Sequence, residues 1–227
     1  IARDTAIFAT VAMYLLNCDF SIPIYKDLTE KSALSEEKER LRDMLKNISH
    51  EYLSLLDLAF DSKQNRLFEI KAMELFLNEG GFSGKHLGGA SRPDGVLYTT
   101  ESSSEYGIIV DMKAYSKGYD LPVGQRDEML RYIRENIRRE KEINSTEWWK
   151  VFPAELKDFY FMFVSGRFTE NIDKKLAQME KIHNVAGTAM PIAAALLAAD
   201  MIKGHRLTYS GFAQGIKGTV FNFENTN

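Results

Sequence analysis

Residues 91–115 read SRPDGVLYTTESSSEYGIIVDMKAY, and Asp94, Asp111 and Lys113 are the side chains there whose types and spacing could do chemistry. Asp111 and Lys113 fall inside the apolar run 108–115, where an unpaired charge is costly to bury. On a strand, side chains two apart point the same way, so these two share a face about 6–7 Å apart. Ile108, Val110 and Met112 then point to the other face, into the core. Asp94 follows Pro93 at the start of the preceding strand-like run, and a short hairpin brings it alongside Asp111. Two converging carboxylates repel one another unless a cation lies between them. Oxygen-only ligands suit Mg²⁺, which keeps several waters and accepts phosphate oxygens, and Mn²⁺ is expected to substitute. Lys113 beside them could hold or help deprotonate an attacking water and offset charge developing on a phosphate. This is a constellation for phosphodiester hydrolysis. The plainer alternative is one salt-bridged strand end beside a turn aspartate.

An acidic residue two before a lysine is common, and the chain has five more: Glu36/Lys38, Asp61/Lys63, Glu69/Lys71, Glu155/Lys157 and Asp173/Lys175. Those fall in expected helices or polar turns, where that spacing does not put both side chains on one face. Apolar periodicity predicts helices over 5–17, from residue 28 to 48, over 50–60 and over 66–80, the last stopping at Gly80-Gly81. A glycine-rich bend follows, then two strands in VLYTT and YGIIVDMKAY joined by a polar turn. A charged helix is expected over 124–143, a buried strand over 158–168, and closing helices over 171–187 and 191–204. The fold class is α/β, a small central mixed β-sheet flanked by helices.

Composition sets the frame for that chemistry. The 227 residues are 44% hydrophobic and 27% charged, enough for one sizeable core. The net charge of −3 argues against a protein that grips nucleic acid by blanket neutralisation of phosphates, since such proteins are usually basic. A chain of this charge acting on DNA is expected to bind weakly alone and to borrow affinity from another module. Cys18 is the single cysteine, which excludes an internal disulfide and a cysteine-rich zinc site and points to a reducing compartment. The apolar stretch 6–16 is about half the length needed to cross a bilayer, so no membrane partner is expected. The chain opens on Ile1, which leads to the expectation of a fragment of something longer.

At this point the sequence resembles the cleavage domain of the FokI family of type IIS restriction endonucleases, within the PD-(D/E)xK nuclease superfamily. GKHLGGASRPDG, YGIIVDMKAYSKGYDLPVGQRDEMLRYIREN, INSTEWWKVFP and FMFVSGRF are similar to that family in content, order and spacing, from about residue 28 to past 203. The resemblance implies a restriction-endonuclease-like fold over 28–227, with 1–27 a linker or the tail of a preceding recognition module. It implies metal-binding aspartates at Asp94 and Asp111 and a catalytic lysine at Lys113. Met112 stands where the family commonly has threonine; its side chain should face the core, leaving only its carbonyl to reach a metal. Glu69 matches the glutamate that the superfamily often adds from an early helix, and a solvated helix charge is its other reading. Arg92 fills the basic position before Pro-Asp.

The resemblance also implies a bacterial, cytoplasmic Mg²⁺-dependent endonuclease acting on double-stranded DNA and leaving 5′-phosphate and 3′-hydroxyl ends. It would have little sequence preference alone and be active as a weak, DNA-promoted pair of copies. Asp127 and Arg131 match the charged residues used in that pairing, and a two-fold axis across one helix sets Asp127 of each copy opposite Arg131 of the other. An ordinary i,i+4 pair on a wet helix face is the alternative. Two rival functions stand beside this one: a junction-resolving or repair nuclease of the superfamily, and a catalytically silent dimerisation module. Lys85 and His86 could touch phosphate or simply make a turn, and Arg167 could reach a DNA backbone or be a surface arginine. Trp148 and Trp149 read as core rather than stacking platforms, and His50 and His183 as structural.

Overall fold

The computed structural model describes residues 31–101, 104–216 and 219–226. The helix expected over 5–17, the junction at 20–23, Cys18 and the start of the helix expected from residue 28 lie outside the described residues. Five strands form one sheet in the order β1-β2-β3-β4-β5: β1 (Ser83–His86), β2 (Gly95–Thr99), β3 (Tyr106–Lys113), β4 (Phe159–Ser165) and β5 (Gly187–Pro191). The first three pair antiparallel and the last three parallel, so the sheet is mixed, as expected.

β3 is central because its residues are apolar on both sides of the alternation. Ile108, Val110 and Met112 enter one core, whereas Ile109 enters a second on the opposite face. The first core packs α1 (Lys31–Met44), α2 (Leu55–Leu58), α3 (Asn65–Glu74), α6 (Ile192–Lys203) and α7 (Tyr209–Gly215) against the sheet. The second holds α4 (Val123–Arg138) and α5 (Ile172–His183), which cross over between the parallel strands. Helices cover both faces, the arrangement that lets parallel strands be buried throughout. Trp148 and Trp149, each 3% exposed, belong to this second core.

Several expected elements are shortened or split. The 50–60 helix is a 3₁₀ turn, His50–Ser54, running into α2. The 66–80 helix is α3 followed by a wide π turn, Leu75–Glu79. α4 stops at Arg138 because Arg139 adopts a left-handed conformation, φ 54°. The helix expected over 171–187 ends at His183 against left-handed Asn184, and Gly187–Pro191 forms β5 instead. Part of the glycine-rich bend is the edge strand β1, where a Cβ on Gly84 would come within 2.1 Å of the Val96 carbonyl oxygen. Only glycine lets these two backbones approach so closely.

Candidate active site

The β2–β3 register pairs Gly95 with Val110, so one step outward Asp94 comes level with Asp111. The end of β3 is pinned on both sides. Ser165 Oγ donates to the Lys113 carbonyl at 2.7 Å from β4, and the Ala114 amide donates to Asn65 Oδ1 at 2.7 Å at the start of α3. Asp94 is held by its own backbone as well: its carbonyl accepts from the Leu87 amide at 2.8 Å and the Gly88 amide at 3.2 Å. Its side-chain Oδ2 accepts from the Met112 amide at 2.7 Å. Met112 itself is fully buried in the first core, so its side chain faces away from the site.

Lys113 Nζ donates to Asp111 Oδ1 at 2.8 Å and to Asp94 Oδ2 at 3.1 Å. The two carboxylates thus converge on one ammonium. Asp111 is 6% exposed, and its Oδ2 is buried without a hydrogen-bond partner among the described residues. Burial pushes the Asp111 carboxyl up to about 7; Lys113 pulls against this and the charge of Asp94 adds to it. Burial opposes the charge on Lys113, yet the two carboxylates outweigh it and hold the ammonium above its ordinary value. Tyr119 lies close enough for Asp111 to act on it; its phenol is buried, unpartnered among the described residues, and pushed up by burial and then by Asp111.

Glu69 is placed beside this cluster rather than within it. Asn65 Nδ2 donates to its Oε1 at 2.5 Å and Arg66 Nη1 to its Oε2 at 3.1 Å. Burial and the charge of Asp94 push its carboxyl up, against the pull of Arg66 and Lys113. His86 is lowered by burial and by Arg66, and its Nε2 lies 3.1 Å from Arg66 Nη1, as a neutral acceptor would. Lys85 is exposed on β1. Arg167 lies over the Phe60 ring at 5.8 Å, and His50 Nε2 lies 3.2 Å from the Leu45 carbonyl.

Asp127 and Arg131 both lie on α4, but not as an i,i+4 pair among the described ion pairs. Arg131 turns to Glu135 at 3.4 Å and Glu128 at 3.5 Å, and Asp127 lies 3.5 Å from Arg126. Asn65, Arg66 and Tyr119 are site neighbours that the sequence reading passed over. Asn65 stands four residues before Glu69, so helical geometry alone could have found it once Glu69 was named.

A hard divalent cation fits this donor set. Among the described residues no three His, Cys, Asp or Glu side chains form a metal-binding group. Side chains therefore offer two carboxylates, and the unpartnered Asp111 oxygen is a lone pair with nothing to accept from. Mg²⁺ is suited to such a site because it retains several waters.

The family described as "FokI, cleavage domain" matches residues 31–219. The chain belongs to the FokI cleavage-domain family. The type II restriction enzyme FokI of Planomicrobium okeanokoites is 45% identical over 193 residues, covering 85% of this chain and 33% of that protein. The type II restriction enzyme StsI of Streptococcus sanguinis is 39% identical over 211 residues, covering 91% and 34%. A solved structure of FokI bound to DNA superposes with a TM-score of 0.82 at 44% identity, over 85% of this chain and 34% of that one. The fold is that of the matched third of the FokI restriction endonuclease. This FokI-family chain spans about a third of the length of the curated relatives it matches. No helix among its described residues is long and apolar enough to cross a membrane.

Proposed function

We propose that this chain is the DNA-cleaving module of a type IIS restriction enzyme, a Mg²⁺-dependent endonuclease with little sequence preference of its own. The observation that carries this is the pair of carboxylates sharing the Lys113 ammonium, with one buried Asp111 oxygen unpartnered among the described residues. Asp94 and Asp111 would hold the cation. When bound, Mg²⁺ supplies a Lewis acid for the phosphate oxygens and a more acidic water. Asp94 is kept in place by the Met112 amide and the loop amides on its carbonyl, so the geometry does not depend on the cation. Lys113, held charged by its two neighbours, orients the attacking water as a hydrogen-bond donor. It also offsets negative charge as the phosphate is attacked in line. Products would carry 5′-phosphate and 3′-hydroxyl ends.

Cleavage of both strands would need two copies, paired through α4. Support comes from the surface of that helix. Val123 (62% exposed), Asp127 (side chain 61%), Arg131 (side chain 32%) and Ile137 (58%) are all accessible. At 100° per residue they fall within roughly 120° of arc. The test of the reaction is plasmid nicking with Mg²⁺ by wild type and Asp111→Ala. The expected result is loss of at least about a hundredfold in rate; equal rates would remove Asp111 from the mechanism. Faster cutting of branched than of plain duplex DNA would favour a junction-resolving enzyme.

A further inference from the structure

Beyond Asp94, Asp111 and Lys113, the structure assigns a positioning role to Tyr132 and Asn144: they set the Pro93-Asp94 segment, and through it the placement of the Asp94 carboxylate. The inference rests on reading Asp94 as a metal ligand.

The segment needs holding. Gly88, Gly89 and Ser91 all have positive φ, at 53°, 87° and 64°, and for Ser91 that conformation is strained. Such a backbone persists only where its surroundings over-determine it. Pro93 has no N–H with which to anchor itself. The two carbonyls just before it are instead gripped by side chains from α4 and the loop that follows it. Asn144 Nδ2 donates to the Ser91 carbonyl at 2.6 Å, and Tyr132 Oη donates to the Arg92 carbonyl at 2.8 Å.

Both donors are themselves fixed. Asn144 is oriented by accepting from Thr146 N at 3.0 Å and Thr146 Oγ1 at 2.7 Å on its oxygen. Its Nδ2 also donates to Glu135 Oε2 at 2.9 Å. Glu135 is 2% exposed; it accepts from Trp148 Nε1 at 2.8 Å and is paired with Arg131. A carboxylate this buried stays in place only while its donors remain, so Asn144 has little freedom. Tyr132 is 4% exposed, and the Arg131 guanidinium lies over its ring at 4.7 Å. Burial keeps its phenol protonated, hence a donor. None of these atoms reaches the reacting groups; they act by fixing two peptide planes one and two residues before Pro93.

The experiment uses the full 227-residue chain as Tyr132→Phe, Asn144→Ala, Asp94→Ala and Asp200→Asn. Mn²⁺ affinity is measured by calorimetry, thermal melting by circular dichroism, and plasmid nicking at saturating Mg²⁺. Tyr132→Phe deletes one oxygen and keeps the packed ring, so it is expected to melt near wild type yet bind Mn²⁺ about tenfold more weakly and nick more slowly. Asn144→Ala is expected to do the same; if it does not fold, Tyr132→Phe carries the test alone. Asp200 accepts from the Lys46, Asn47 and Ile48 amides in the first core, away from Asp94; Asp200→Asn weakens that clamp and is expected to lower the melting temperature while leaving Mn²⁺ affinity unchanged. Wild-type Mn²⁺ affinity in Tyr132→Phe, with Asp94→Ala unable to bind, overturns the positioning role. Equal weakening in Asp200→Asn overturns it too, by making the effect one of general stability. Wild-type binding and nicking by Asp94→Ala is a separate signature, since it removes Asp94 as a ligand and the nuclease reading with it.

Discussion

Asp111 lies at 6% exposure with one oxygen on the Lys113 ammonium and the other unpartnered among the described residues, so ionising it works against the fold. Its carboxyl is raised to about 7 by burial. A raised acid stabilises the fold while its proton is on: the contribution is complete below the ordinary carboxylate range and is lost as pH climbs through about 7. A divalent cation must displace that proton. Mn²⁺ affinity measured by calorimetry should therefore rise steeply as pH climbs toward about 7 and level off above it. Affinity that is flat across that range would mean Asp111 is already ionised in the free protein. Met112 supplies a contrast. Fully buried and facing the opposite core, it can be exchanged for threonine at a cost of about 2–4 kcal/mol from lost volume and a buried hydroxyl. Urea unfolding should register that cost, while nicking per folded molecule stays at the wild-type rate. At this scale the sequence was readable where strand alternation applies: period two alone put Asp111 and Lys113 together and Met112 away. Tyr132 was not readable, because what qualifies it is the Arg92 carbonyl, forty residues away in the chain.

Elements with strong periodicity came through the sequence, and those fixed by tertiary contact did not. β3 and β4 are long apolar runs bounded by turns, and α4 carries a clear amphipathic stripe. β5 is five residues, Gly187–Pro191, squeezed between two helix patterns, and nothing local separates it from either. β1 is a strand only because Gly84 lets β2 approach, a fact about two backbones rather than one. Asp200 shows how such distant elements are joined. From α6, at 1% exposure, its Oδ1 accepts from the amides of Lys46, Asn47 and Ile48 at 2.7, 2.6 and 3.2 Å, and its Oδ2 meets Arg206 at 2.5 Å. It clamps the chain leaving α1, where Ile48 is buried and its amide would otherwise lack this acceptor. Asp200→Ala removes the acceptor shared by those amides and the half-exposed Arg206 guanidinium, and should cost on the order of 2–4 kcal/mol. Equilibrium urea unfolding measures this directly, and a loss below about 1 kcal/mol would show that water replaces the clamp.

At the scale of the whole molecule, charge and length pose one problem. A net charge of −3 offers little general grip on phosphates, and the chain covers only about a third of its FokI and StsI relatives. On the proposed nuclease reading, so little positive charge leaves cutting dependent on added grip, and pairing of copies through α4 is the proposed route. Arg131 is already engaged by Glu128 and Glu135, but a guanidinium has five N–H donors and can meet a further carboxylate from outside. In the proposed pairing Asp127, with its side chain 61% exposed, would be the matching acceptor on a second copy. In a two-fold pair the Asp127–Arg131 contact occurs twice, so one reversed charge produces two like-charge contacts. Asp127→Arg copies then face arginine with arginine, and Arg131→Asp copies face aspartate with aspartate. A one-to-one mixture restores opposite charges at one of the two contacts in a charge-reversed form and retains the other as in wild type. Each variant alone should lose most double-strand cleavage, and the mixture should recover it, with a rate rising faster than linearly in protein concentration. Arg131→Asp also removes the cation beside buried Glu135, so Asp127→Arg gives the cleaner single-variant loss. A mixture that cuts no better than the sum of its parts would place the pairing surface elsewhere than α4.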